Sequence, residues 1–185
     1  MNIYLTKVRT ALALGLANIT RAAIYRIGVN LGLNPVRRLR AGKPEGPYFL
    51  SASVVSSGLP EINAWRESGI LFSHWNIKLG SHAPDWLANP ITGRILTNSE
   101  RPWWKIPDFD PHTGDIKILW EMSRMDWLLA FAQRARNGET TALDQLNYWL
   151  EDWCKANPPY QGPNWKCGQE ASIRVMHLAM ATIIL

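Results

Sequence analysis

Apolar side chains recur at helical spacing near the start of the chain. Ile3, Leu5, Val8, Leu12, Leu16, Ile19, Ala23 and Ile27 predict one or two amphipathic helices over residues 2–33. Gly15 and Gly28 are weak points in that run, and Gly32 with Pro35 ends it. The pattern then fades. Residues 47–114 hold no sustained period and are dense in Pro, Gly, Asn and Ser, with Trp65, Trp75, Trp86, Trp103 and Trp104 among them. Such a stretch predicts irregular structure wrapped around a core or lining a cleft. From Trp120 the helical period returns, predicting helices over Trp120–Asn137, Thr141–Lys155 and Gly168–Leu185. Thr141 with Asp144 resembles a capping box, and Leu128, Phe131, Leu143, Leu146, Leu150 and Trp153 supply stripes that pack the first two as an antiparallel pair. The last helix has no Gly, Asn or Pro to stop it, so the chain is expected to be a truncated piece whose further helices cover that apolar end.

Composition sharpens this picture. A content of 46% hydrophobic and 19% charged residues in 185 suits a folded domain with a real core. The net charge of +5 is unevenly spread: residues 1–47 carry eight basic side chains against Glu45 alone, or +7, which leaves −2 for the rest. Two regions follow, basic amphipathic helices over 1–46 and a second region over 47–185. The cluster Arg37, Arg38, Arg40 and Lys43 suits an anionic surface, with peripheral membrane contact as one use and an ordinary solvated face as the other. No run approaches the ~20 apolar residues that span a bilayer. Lys7 and Arg9 precede an apolar run without a small-residue cleavage pattern, so a secretion signal is not expected and a cytoplasmic location stays open. Cys154 and Cys167 form no CxxC pair, which argues against zinc and leaves two thiols or one disulfide across the loop between them.

Ten tryptophans serve as core fillers first and as platforms for sugar rings second. Trp120, Glu121 and Arg124 lie three and four residues apart and can share one surface, with an intrahelical ion pair as the plain reading. Glu170, Arg174 and His177 repeat that spacing, again with structural salt bridging as the simpler account. Asn164 stands between Pro163 and Trp165 in a constrained loop before a helix start, where an amide can either meet a carboxylate or merely hold a turn. No Gly-rich phosphate loop and no GxSxG elbow occurs, and His74, His82, His112 and His177 are too scattered for a triad or metal site. Neither a nucleic-acid partner nor a cofactor is expected.

Taken together, Asp115 to Arg124, Leu150-Glu-Asp-Trp153 leading into Asn157-Pro-Pro, and Gly162-Pro-Asn164-Trp165 followed by Gln169-Glu170 and Ile173-Arg174 resemble the N-terminal part of the heparinase II/III-like polysaccharide lyases. The resemblance implies an all-α fold: a partial (α/α) toroid of helical hairpins with a long irregular segment, continuing into further helices and a β-sandwich domain. It implies β-elimination on a uronate-containing acidic polysaccharide, in the cell envelope or periplasm. There Asn164 neutralises the substrate carboxylate while charge builds on it. Trp165, Glu121, Arg124, Gln169, Glu170, Arg174 and Trp120 line the cleft by the same resemblance. The family's catalytic Tyr and His lie beyond the part matched here, since every tyrosine precedes Asn164 and only His177 follows it. The missing C-terminal portion would supply them. Three other readings compete: a non-catalytic carbohydrate-binding protein, a peripheral envelope protein, and an (α/α)-barrel glycoside hydrolase with paired carboxylates.

Overall fold

The computed structural model describes residues 3–50 and 68–185, so Trp65 and the part of the irregular segment over 51–67 lie outside the described residues. The chain divides into two compact units, Met1–Ala41 and Gly42–Leu185.

In the first unit, α1 (Ile3–Leu14) and α2 (Leu16–Leu31) contact each other. They are separated at Gly15, whose φ of 78° a side chain would strain. Gly32 closes α2 in the left-handed conformation, its N–H bonded to the Val29 carbonyl. Asn34 accepts from Val36 N at 3.0 Å and starts a 3-10 turn over Pro35–Arg38. Gly28, expected to be weak, is simply absorbed within α2.

The second unit overturns the all-α, partial-toroid expectation. Two small antiparallel sheets stand beside its helices, and a toroid of helical hairpins is not what the described residues form. β1 (Ser68–Leu71) pairs with β2 (Trp75–Lys78), Gly69 opposite Ile77 and Leu71 opposite Trp75. β3 (Phe109–Asp110) pairs with β4 (Gly114–Asp115). The physical reason lies in the turns and the packing. Phe72 and Ser73 take φ of 52° and 62°, which reverses the chain without glycine. Gly69 lets the hairpin lie on a helix: a Cβ there would sit 3.2 Å from the Trp127 Cβ and 3.3 Å from its Cα. Outward from the hairpin, Ile70 N donates to Asp126 Oδ2 at 2.7 Å and Phe72 N to Glu121 Oε2 at 2.9 Å.

The helix predicted over Trp120–Asn137 is two helices, α3 (Lys117–Ser123) and α4 (Trp127–Arg136). Met125 breaks them apart at φ 67°, and it is 3% exposed. No glycine or proline marks that break, so burial of the side chain holds a conformation its backbone disfavours. α5 (Thr140–Ala156) and α6 (Gly168–Ile184) fall where the periodicity predicts. The capping box at Thr141 does not form, because α5 begins at Thr140 and Glu139 precedes it with its carboxylate turned to Arg134.

α4 packs on both α5 and α6 through Leu128, Phe131 and Ala132 against Ala142, Leu146, Leu150 and Ala181. Complete burial of each large side chain there contributes about 1.5–3 kcal/mol. Trp86, Trp127, Trp149 and Phe131 interlock in the same core, with Trp127 and Trp149 ring centres 5.2 Å apart. Trp86 Nε1 donates to Asp152 Oδ2 at 2.7 Å, which anchors the irregular segment to α5. Asn147 on α5 does the same for residues 48–49: its Oδ1 accepts from Tyr48 N and Phe49 N, while its Nδ2 donates to Phe49 O.

Glu151, on α5, is paired with Lys43 and accepts from the Tyr48 hydroxyl at 2.7 Å. Those two partners, Lys43 first, hold its carboxyl at about 2 against an ordinary 4.5. A depressed folded-state value contributes stability that is complete above about 4.5 and lost as pH falls towards about 2. Thermal midpoints followed over that window are expected to drop in the wild type, with a shallower drop in Glu151→Gln.

Candidate functional site

The residues singled out by the sequence meet where α3, α6 and the 3-10 turn Pro163–Trp165 come together. Trp120 faces the turn from α3, its Nε1 donating to the Pro163 carbonyl at 2.9 Å. Arg124 sits just past the end of α3 and forks onto Glu170 in the first turn of α6, Nε to Oε2 at 2.8 Å and Nη2 to Oε1 at 2.9 Å. Its Nη1 holds Glu121, whose other oxygen takes Phe72 N. One guanidinium thus ties α3, the hairpin and α6, and Glu170 raises its pKa further. Glu170 pairs across to Arg124, not along its own helix to Arg174 as the spacing suggested.

Arg174 is 5% exposed, and among the described residues no carboxylate pairs with it. Its guanidinium lies over the rings of Trp153 and Trp165, 5.2 Å and 5.5 Å from their centres. Its Nη2 donates to the Asn164 carbonyl at 2.9 Å, and its Nη1 has no partner. Burial pulls its pKa below the ordinary value while the charge of Glu170 pulls it back.

Asn164 does not face an open groove. Its side chain is 0% exposed, and its Nδ2 donates to Asn157 Oδ1 at 2.7 Å. Asn157, itself buried, donates to the Trp153 carbonyl and accepts from Trp165 Nε1 at its own carbonyl. The Asn164 Oδ1 is buried without a partner. The turn that carries Asn164 directs the amide inward. A buried acceptor and a buried donor, Asn164 Oδ1 and Arg174 Nη1, are both left unused on the two residues that this turn links.

Trp165 is half-buried against Trp153 and Tyr160. Gln169 is exposed at the start of α6 and stands outside this network. Four contributors were missed as site residues: Asn157, Ser123, Asp126 and Lys166. Ser123 accepts from Trp153 Nε1 at 3.0 Å, and Lys166 reaches the Ile106 carbonyl and Asp108. His177 Nδ1 donates to the Arg124 carbonyl at 2.6 Å, which leaves Nε2 turned towards Asp126, 4.0 Å away. Asn157 was detectable in principle, as an amide between a helix end and two prolines. The others need the three-dimensional fold.

Comparison with protein-family models, with curated proteins and with solved structures finds no match. Cys154 and Cys167 are free thiols, and burial raises the Cys154 pKa. Among the described residues no group of three or more His, Cys, Asp or Glu side chains could hold a metal ion.

Proposed function

We propose that the chain is part of a polysaccharide lyase that cleaves a uronate-containing acidic polysaccharide by β-elimination, with Asn164 meeting the substrate carboxylate. The reading comes from the resemblance carried by residues 115–174. The observation that supports it is convergence. Of the eight side chains the resemblance assigns, all but Gln169 meet where α3, α6 and the 163–165 turn come together, Glu121 and Glu170 on Arg124, and Trp120, Asn164 and Trp165 at the turn beside Arg174, a buried cation with which no carboxylate pairs among the described residues.

Removing the proton next to a carboxylate moves negative charge onto the carboxylate oxygens, so amide and guanidinium donors placed there lower the barrier. Asn164 and Arg174 are the donors of this region suited to that work. For the amide to reach substrate, the Pro163–Trp165 turn has to open, since the side chain has no exposure as it stands. In the lyases that the sequence resembles, proton transfer falls to a Tyr and a His.

The test is incubation of the whole protein with uronate polymers. Ultraviolet absorbance from an unsaturated product supports the lyase, whereas new reducing ends without it indicate a hydrolase. In the lyase, Asn164→Ala is expected to cut kcat roughly a hundredfold with little change in KM. The burial of Asn164 favours a second reading, in which the amide is a strut and the protein only binds polysaccharide. In that case the same substitution lowers the thermal midpoint, and polymer is retained on the protein without cleavage.

A further inference from the structure

We infer that α1 and α2 form an interfacial element that lies on an anionic lipid surface. Advancing by about 100° per residue, Leu16, Ile24, Ile27 and Leu31 fall within about an 80° sector of α2. On α1, Leu5, Val8 and Leu12 form a comparable stripe. All seven are more than half exposed, although they are the large apolar side chains that would ordinarily seek burial. Arg21 and Arg26 fall on either side of the α2 stripe.

Charge selects the occupant. Residues 1–41 contain seven basic side chains and no acidic one. Arg37, Arg38 and Arg40, all exposed, follow directly on α2 at the 3-10 turn. Apolar stripes flanked by cations, without a single acid, match a surface that offers acyl chains beneath negative headgroups. A nucleic acid would satisfy the cations and leave the stripes in water. Among the described residues no helix is long and apolar enough to cross a membrane, so the element lies in the interface plane.

This inference is independent of the lyase reading, and neither result decides the other. The experiment is flotation of the full chain with vesicles of phosphatidylcholine alone and of phosphatidylcholine mixed with phosphatidylglycerol, at low and high salt. The chain is expected to float with the anionic vesicles and to be released by salt. Replacing Arg37, Arg38 and Arg40 by glutamine should weaken partitioning about a hundredfold, each cation counting for roughly fivefold, while lysine at all three should preserve it. Ile24→Ser with Ile27→Ser should weaken binding at both salt concentrations, and circular dichroism checks that α2 persists. Equal binding to neutral vesicles overturns the inference. So does an absence of flotation, whether the chain proves to be an oligomer that covers the stripes or a nucleic-acid binder in a gel shift.

Discussion

Trp127→Ala is expected to lower the stability of the second unit by about 4 kcal/mol, the usual range for emptying a large aromatic site in a core. The ring is 1% exposed and packs 5.5 Å from Trp86, 5.2 Å from Trp149 and 6.3 Å from Phe131, centre to centre. Its Nε1 donates to the Met122 carbonyl at 3.1 Å, across the break between α3 and α4. Its backbone is also the surface on which Gly69 lies. Truncation therefore leaves a cavity bordered by two further tryptophans, frees a carbonyl at the helix break, and loosens the hairpin. Urea unfolding is the measurement, with a lower midpoint at unchanged slope. Trp127→Phe should recover at least half of the loss. A loss below about 1 kcal/mol for the alanine variant would mean that the neighbouring rings collapse into the space.

The second large effect belongs to Gly162→Ala, at about 3 kcal/mol. Gly162 takes φ 76° and ψ −176°, a region that only glycine enters freely. A Cβ built there would lie 2.9 Å from the Ser99 carbonyl oxygen, which is backbone and cannot swing aside. Its N–H also donates to the Arg101 carbonyl at 2.8 Å. Any relief of the clash must shift the segment that carries Pro163 and Asn164, so the variant tests the turn and its site together. Gly168→Ala is the control: nothing lies within 4 Å of its Cβ position, and it begins α6. That change should stay within about 1 kcal/mol of wild type. Equal losses from both would show that the Ser99 contact does not restrain the loop.

What the sequence disclosed follows from how local each signal is. α5 and α6 were legible because Gly138 and Pro158 flank the first, Gly168 opens the second, and each carries an apolar period. The Gly15 break between α1 and α2 was legible for the same reason. The break at Met125 was not, because its cause is packing around a methionine in a conformation that methionine rarely adopts. The hairpin at residues 68–78 escaped because its turn uses Phe72 and Ser73 at positive φ in place of Asn-Gly. At the site, spacing brought out Glu121, Arg124, Glu170 and Arg174 as residue types. It paired Glu121 with Arg124 as the structure does, and missed the partner of Glu170, since Glu170 to Arg124 is a contact between helices. The inward turn of Asn164 depends on Asn157, seven residues away along a loop whose path no periodicity describes.

The carboxylates of Glu121 and Asp126 have a consequence for how copies of this protein behave towards one another. Ile70 N on β1 and Phe72 N in the turn after it are donors that a passing extended peptide could use, and both are already occupied by these side chains. An exposed strand margin with vacant donors is a template for stacking into fibrous aggregates. Here two acids from the helical layer fill these vacancies. On its β1 side the short, two-stranded hairpin is thereby closed to recruitment of a third strand from a neighbour.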